Sequence, residues 1–193
     1  MKKKTLVLLV GETGSGKDTV ANKLPFPKIV SYSTRPMREG DIDGVNHYFI
    51  TDEEMDKIER EETLIAWTKT GDIRYCAAAS QLKEDVVIYI INPDGVRWFK
   101  NNYNEKDLNV ITIGLFVPLK DRIKRCLLRG DDEGVLIKRI LDEQLAYDHF
   151  RLDGEFDYLI RNDDSDKTAL IVHYLINKEI ADLKIKDGLW IYD

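Results

Sequence analysis

The stretch Val10-Gly11-Glu12-Thr13-Gly14-Ser15-Gly16-Lys17-Asp18-Thr19 decides the fold. The apolar run Thr5-Leu6-Val7-Leu8-Leu9-Val10 leads into it, and a segment able to form a helix, Asp18 to Leu24, leads out. Strand, glycine-rich turn and helix start follow in that order, and the spacing Gly11-x4-Gly16-Lys17 is that of a phosphate-binding P-loop. The glycines let consecutive backbone N–H groups turn inward around a phosphate chain. The helix behind them adds its positive N-terminal end. Lys17 supplies a mobile charge for the phosphate in transfer. At one position the sequence departs from the pattern: Asp18 follows the lysine, where a Ser or Thr hydroxyl ordinarily ligates Mg2+. Two roles fit Asp18, a hard-oxygen metal ligand or an acid that favours the helix N-terminus.

Outward from the loop, apolar runs alternate with helical patterns. Strands are expected at Lys28–Ser31, Val86–Asn92, Val110–Val117 and Tyr158–Asn162, and helices at Pro93–Tyr103, Pro118–Leu128, Leu136–His149 and Asp166–Leu183. β-Branched runs separated by helices predict an α/β fold with a parallel sheet flanked by helices, the three-layer P-loop NTPase arrangement. The segment of about 31–80 is polar, with short strand-like pieces at Tyr48–Ile50 and Leu64–Thr70 and one helical stretch, Asp52–Arg60. It reads as an inserted subdomain. The segment of about 129–139, charged and holding Gly130 and Gly134, reads as a mobile lid. The expected core is therefore 1–30, 81–128 and 140–193, within a single domain. The acidic runs Asp52–Glu54 and Glu59–Glu62 read as solvated helix faces.

Composition excludes several classes. A chain of 193 residues, 43% hydrophobic and 33% charged, is long enough for one substantial core. A net charge of −6 and a pI near 5.2 argue against general nucleic-acid binding. The two cysteines, Cys76 and Cys126, have no paired spacing and build neither a disulfide framework nor a zinc motif. No apolar run approaches the ~18 residues of a membrane span, and the basic N-terminus is too short for a signal segment. A cytoplasmic, soluble chain without membrane partners is the expectation.

Past the P-loop, the string Ser31-Tyr32-Ser33-Thr34-Arg35-Pro36-Met37-Arg38-Glu39-Gly40-Asp41-Ile42-Asp43-Gly44-Val45-Asn46-His47-Tyr48-Phe49 resembles the monophosphate-binding segment of guanylate kinases, S-x-T-T-R-x-x-R-x-G-E-x-x-G-x-D-Y-x-F. Pro118 to Arg139 resembles that family's arginine-bearing helix and lid, and Tyr158–Asp164 its late strand ending in N-D-D. The resemblance covers roughly residues 5–180. It implies an ATP-dependent nucleoside monophosphate kinase acting on small-molecule nucleotides, with ATP and Mg2+ as cofactors. Gly11, Thr13, Gly14, Ser15, Gly16, Lys17, Asp18, Thr19 and Asn162 would contact ATP, with Asp18 at the metal. Ser31, Arg35, Arg38, His47, Tyr75 and Asn92 would contact the monophosphate. Lys17, Arg125, Arg129 and Arg139 would neutralise charge during transfer, and closure over both nucleotides would exclude water. The chemistry of the residues agrees. Two guanidinium forks three residues apart, Arg35 and Arg38, can grip one phosphate by bidentate, charge-assisted hydrogen bonds. Arg125 and Arg129 share a helix face, and phosphoryl transfer needs positive charge over the moving group.

The base-reading residues depart from the family. Its F-I-E-W/H glutamate falls on Ala66 within Leu64-Ile65-Ala66-Trp67, and its Y-G-S/T hydroxyl falls on Ala77 within Tyr75-Cys76-Ala77. The second aspartate of its D-x-D strand end is Asn92, and the tyrosine of D-Y-x-F falls on His47, with Tyr48 one position later. Two groups that hydrogen-bond a base have become methyls, which weakens discrimination. A broader acceptor range, a different or modified base, or guanine read from elsewhere (Lys69 or Asn92) all remain open. So does a non-catalytic binding module, against which the retained Lys17 and lid arginines weigh.

Overall fold

The apolar run before the loop is buried along its length, Leu6 through Val10 completely so, as a strand covered on both faces must be. The structure, a computed structural model, describes residues 3–38, 40–103 and 108–186. Its elements in chain order are β1 (Lys4–Val10), α1 (Lys17–Ala21), β2 (Lys28–Ile29), β3 (Tyr32–Ser33), β4 (Tyr48–Phe49), α2 (Asp52–Glu61), β5 (Leu64–Thr70), β6 (Ile73–Ala78), β7 (Val86–Ile90), α3 (Pro93–Asn102), β8 (Leu108–Phe116), α4 (Leu119–Arg129), α5 (Glu133–Leu152), β9 (Tyr158–Arg161) and α6 (Ser165–Lys186). The expected α/β fold is present: a parallel five-stranded sheet in the order β2-β7-β1-β8-β9, flanked by helices. A second sheet, in the order β4-β3-β6-β5, is mixed, with β3 and β4 parallel and β5 and β6 antiparallel. His149 and His173 lie on α5 and α6, as ordinary helix residues. Trp190 and Tyr192 lie outside the described residues.

Several boundaries move for identifiable reasons. The first helix stops at Ala21, short of Leu24, and continues only as i→i+3 turns from Lys23 to Val20 and from Leu24 to Ala21. Pro25 and Pro27 follow and disfavour helical backbone ahead of them. The run Lys28–Ser31 divides, because β2 ends at Ile29 and the chain enters the second sheet at Tyr32; the Val30 carbonyl accepts the Gln81 side-chain amide at 2.8 Å. β6 was not expected. It pairs with β5 through a two-residue turn, Gly71-Asp72, with Gly71 at φ 60°. A Gly-Asp pair between two strand-like runs is a hairpin signal in its own right. The acidic runs on α2 are not simply solvated. Arg74 of β6 is bonded to Asp52 at 2.8 Å, Asp56 at 2.6 Å and Glu59 at 3.2 Å, so one face of α2 is tied to the sheet. The segment expected as a lid is mostly helix: Arg129 ends α4, Gly130 caps it in the left-handed region at φ 95°, and Asp132 caps α5 by accepting the Val135 N–H.

The chain divides into two compact units, one holding the residues up to Leu8 with Phe26–Asn109, the other Leu9–Pro25 with the described residues from Val110 on. In the first, α3 begins at Asn92, whose Oδ1 accepts the Gly95 N–H at 2.8 Å, with Pro93 in the first turn. Asn92→Ala is expected to cost about 1 kcal/mol and lower Tm by about 2–4 °C. Asn92→Asp, which caps equally well, should keep the wild-type Tm in calorimetry.

Candidate functional site

In the second unit, β1 delivers the chain into Gly11–Gly16. Gly14 and Gly16 take left-handed backbone, φ 80° and 86°, which a side chain would strain. A Cβ at Gly11 would sit 2.7 Å from the Leu115 carbonyl oxygen, so the loop packs directly on the end of β8. Ser15 is fully buried, its carbonyl accepting the Asn162 side-chain amide at 2.8 Å. Asn162 follows β9, and its own carbonyl accepts an Arg125 N–H at 2.8 Å. The expected ATP-contacting residues Gly11, Thr13, Gly14, Ser15, Gly16, Lys17 and Asn162, with Arg125, therefore form one connected cluster. Asp18 and Thr19 are exposed at the start of α1.

Lys17 turns back over the loop and donates to the Gly11 carbonyl at 2.5 Å and the Glu12 carbonyl at 3.2 Å. Burial pulls its ammonium below the ordinary lysine value, against the fields of Glu143, Asp18 and Glu12, in that order. Arg129 forms an ion pair with Asp131 at 2.5 Å, which holds the Asp131 carboxyl below its usual range. Arg139 adds to that lowering, and the field of Asp18, next to Lys17, acts on Arg129. Asp18 offers one hard carboxylate oxygen donor. No group of three or more potential ligands is present among the described residues, so a Mg2+ here would draw its other ligands from phosphate and water.

Local patterns missed several residues that hold the loop. Glu12 is buried and bridges Arg122 at 2.8 Å and Arg151 at 3.0 Å. Arg122 also reaches the Thr13 carbonyl at 3.2 Å, and the Tyr147 hydroxyl donates to the Gly11 carbonyl at 2.7 Å. The Glu143 carboxylate accepts both the Thr13 N–H, at 2.8 Å, and the Thr13 hydroxyl, at 2.6 Å. These partners are over a hundred positions away in the chain, beyond any short-range periodicity.

In the first unit, the four-stranded sheet gathers the residues expected at the monophosphate. Register partners share a face, so Ser33, Phe49, Tyr75, Thr68, Ala66 and Ala77 line one side, and Tyr32, Tyr48, Cys76 and Trp67 the other. The second side meets α2: the Trp67 indole donates to Glu59 at 2.8 Å, and Cys76 Sγ lies 3.3 Å from Met55 Sδ. That hydrogen bond accounts for Trp67 as a packing residue of α2. On the first side, His47 packs against the Phe49 and Tyr75 rings at 5.7 and 5.6 Å. The Arg35 guanidinium lies 5.1 Å from the Phe49 ring centroid. Arg35 is 8% exposed and paired with Asp41 at 2.8 Å, which keeps that carboxyl below its usual range. Arg38 is exposed, and its backbone N–H donates to the same Asp41 at 2.7 Å. Arg35, His47, Tyr75, Ala66 and Ala77 thus share one surface. Ser31 bonds the Tyr89 hydroxyl at 3.0 Å, and burial pushes that phenol up to about 12. The Asn92 Oδ1 caps α3 by accepting the Gly95 N–H.

The guanylate kinase family model matches residues 2–179. A guanylate kinase of Carboxydothermus hydrogenoformans is 30% identical over 175 residues, covering 85% of this chain and 83% of the relative. One from Rickettsia prowazekii is 29% identical over 190 residues, covering 91% and 92%. One from Legionella pneumophila (strain Paris) is 27% identical over 183 residues, covering 89% and 84%. Among solved structures, the guanylate kinase from Anaplasma phagocytophilum superposes with a TM-score of 0.69 over the full length of both chains at 23% identity, a likeness of fold.

Proposed function

The chain belongs to the guanylate kinase family, and from that premise we propose that it transfers the γ-phosphoryl group of ATP to a nucleoside monophosphate whose base it reads less strictly than a guanine-only site would. The loop of the second unit holds the donor, with Lys17 on the transferring phosphate. Arg35 and Arg38 of the first unit hold the acceptor's phosphate. An oxygen of that phosphate attacks the γ-phosphorus in line, the bond to the β–γ bridging oxygen breaks, and ADP leaves. Lys17, Arg125, Arg129 and Arg139 carry the positive charge that this step needs, and no side-chain nucleophile takes part. Asp18, together with phosphate oxygens, would hold a Mg2+ ion, which would neutralise charge on the polyphosphate.

The observation that carries the reading of the base is the paired burial of Ala66 and Ala77. They are register partners on the face that also bears Arg35 and Tyr75, 3% and 0% exposed, and neither has a group that can pair with a base edge. Arg35, over the Phe49 ring and paired with Asp41, supports a phosphate grip near that face. The test is kcat/KM for GMP, dGMP, AMP, CMP and UMP in the wild type and in the double variant Ala66→Glu with Ala77→Ser. Selectivity for GMP is expected to rise about thirtyfold, since the two restored hydrogen bonds contribute on the order of 1 kcal/mol each. Because Ala66 is buried, the new carboxylate will cost stability until a base pairs with it. GMP should therefore raise the Tm of the double variant more than that of the wild type. Strong wild-type GMP selectivity with no gain in the variant would mean that guanine is read by other residues.

A further inference from the structure

Thr13 presents two hydrogen-bond donors within the phosphate-binding loop, its N–H and its hydroxyl, and both go to the one carboxylate of Glu143. Donors of this kind, backbone N–H groups and hydroxyls in a glycine-rich loop, are the groups such a loop turns toward phosphate. A carboxylate is an anion with the same demand for charge-assisted hydrogen bonds. Among the acids acting on Lys17, Glu143 contributes the largest field, ahead of Asp18 and Glu12. The lysine of such a loop serves the β- and γ-phosphates, so the carboxylate and the far end of a triphosphate call on the same two residues.

We infer that Glu143 determines donor affinity: its carboxylate acts as an internal anion on the Thr13 end of the loop and competes there with the terminal phosphate of a nucleoside triphosphate. The inference rests on the assignment of this loop to the donor nucleotide. Two negative groups cannot both take Thr13 and Lys17 without repulsion in a partly buried site. The entering phosphate must displace Glu143, and donor binding carries that penalty. Helix α5 makes the exchange productive. Arg139 precedes Glu143 by four residues and lies on the same face of α5. A phosphate that repels Glu143 attracts Arg139, so one charge biases both residues of that face in opposite senses. Glu143 is a positioning residue in this scheme. It reaches the reaction through Thr13 and Lys17.

The decisive variant is Glu143→Gln. The amide oxygen still accepts the Thr13 N–H and the amide nitrogen can donate to the Thr13 hydroxyl, so the brace from α5 to the loop is kept and the charge alone is removed. Glu143→Ala removes both. Isothermal titration of the full chain with ATP, ADP and GMP, alongside steady-state kinetics, reads the outcome. Glu143→Gln is expected to tighten ATP by about tenfold and ADP by less than about threefold, to lower KM for ATP, and to leave KM for GMP unchanged, because only the terminal phosphate meets the carboxylate. ATP binding that is unchanged or weaker in Glu143→Gln overturns the inference. If Glu143→Gln matches the wild type and only Glu143→Ala loses affinity, the residue is a brace and not a competitor. Failure of the functional reading looks different: wild-type protein would then bind ATP, show the Glu143→Gln effect, and yet release no ADP with any nucleoside monophosphate. A wild type that binds no ATP overturns both.

Discussion

Lys17→Ala is expected to lower kcat by about 10²–10³-fold, the loss typical of removing one preorganised charge from a developing transition state, while Tm moves by no more than about 2–4 °C, the equivalent of ~1 kcal/mol. The two halves of this expectation have separate physical grounds. The catalytic half follows from position. The ammonium is tethered to the Gly11 and Glu12 carbonyls of a loop whose glycine spacing is that of a phosphate-binding turn. The stability half follows from the direction of the pKa shift. Burial lowers the Lys17 pKa in the folded chain, so at any pH below the folded value the charge opposes folding, and deleting it removes an unfavourable contribution. Against that stand two lost hydrogen bonds of about 1 kcal/mol each, so the two contributions oppose one another. A coupled ADP-release assay and a calorimetric scan check the pair. Retention of more than about a tenth of kcat, a loss of under ~1.4 kcal/mol, removes Lys17 from the transfer step.

The strand, loop and helix that begin the fold were legible because their signals are local. A buried run from Leu6 to Val10 needs nothing distant to declare it, and Gly11, Gly16 and Lys17 fall within one turn of chain. The long helices were legible for the same reason, with Pro93 marking the start of α3; α5 begins at Glu133, ahead of the expected Leu136, behind the Asp132 cap. What stayed hidden depends on pairing across sequence distance. β6 carries no apolar alternation strong enough to announce itself, and only the Gly71-Asp72 turn betrays it. Asp52, Asp56 and Glu59 look like a solvated face until Arg74 arrives from β6 to neutralise them. Glu12, Tyr147 and Glu143 gain their roles from contacts spanning more than a hundred residues, and no periodicity reports such a contact. In the segment of about 129–139 both glycines sit at helix ends, Gly130 as a left-handed cap of α4 and Gly134 in the first turn of α5, positions that glycine content alone does not distinguish from a loop. The alignment of Ala66 and Ala77 with base-reading positions was legible only through resemblance. The β5–β6 register then adds that both face the same side as Arg35.

Arg35→Ala is expected to weaken GMP binding by about 10²-fold or more, as the loss of a bidentate pair of charge-assisted hydrogen bonds implies, and to leave ATP affinity within about twofold, well under the ~1.4 kcal/mol of a tenfold change. Arg38→Ala should cost less. Arg35 is nearly buried, held by Asp41 and seated over Phe49, so its fork is oriented before a ligand arrives. Arg38 is exposed and must lose side-chain freedom on binding. Arg35→Lys separates charge from geometry: it keeps the former and loses the planar fork, so it should recover only a minor part of the affinity. Asp41→Asn separates the arginine from its support. The guanidinium remains while its ion pair goes, and affinity should fall by an intermediate amount as the fork loses its fixed orientation. Titration of GMP and ATP separately into each variant reads all four. The order expected for GMP, from weakest to tightest, is Arg35→Ala, Arg35→Lys, Asp41→Asn, wild type, with ATP flat across the series. Parallel losses for both nucleotides would place Arg35 outside the acceptor site, because the loop assigned to ATP lies in the other unit of the chain.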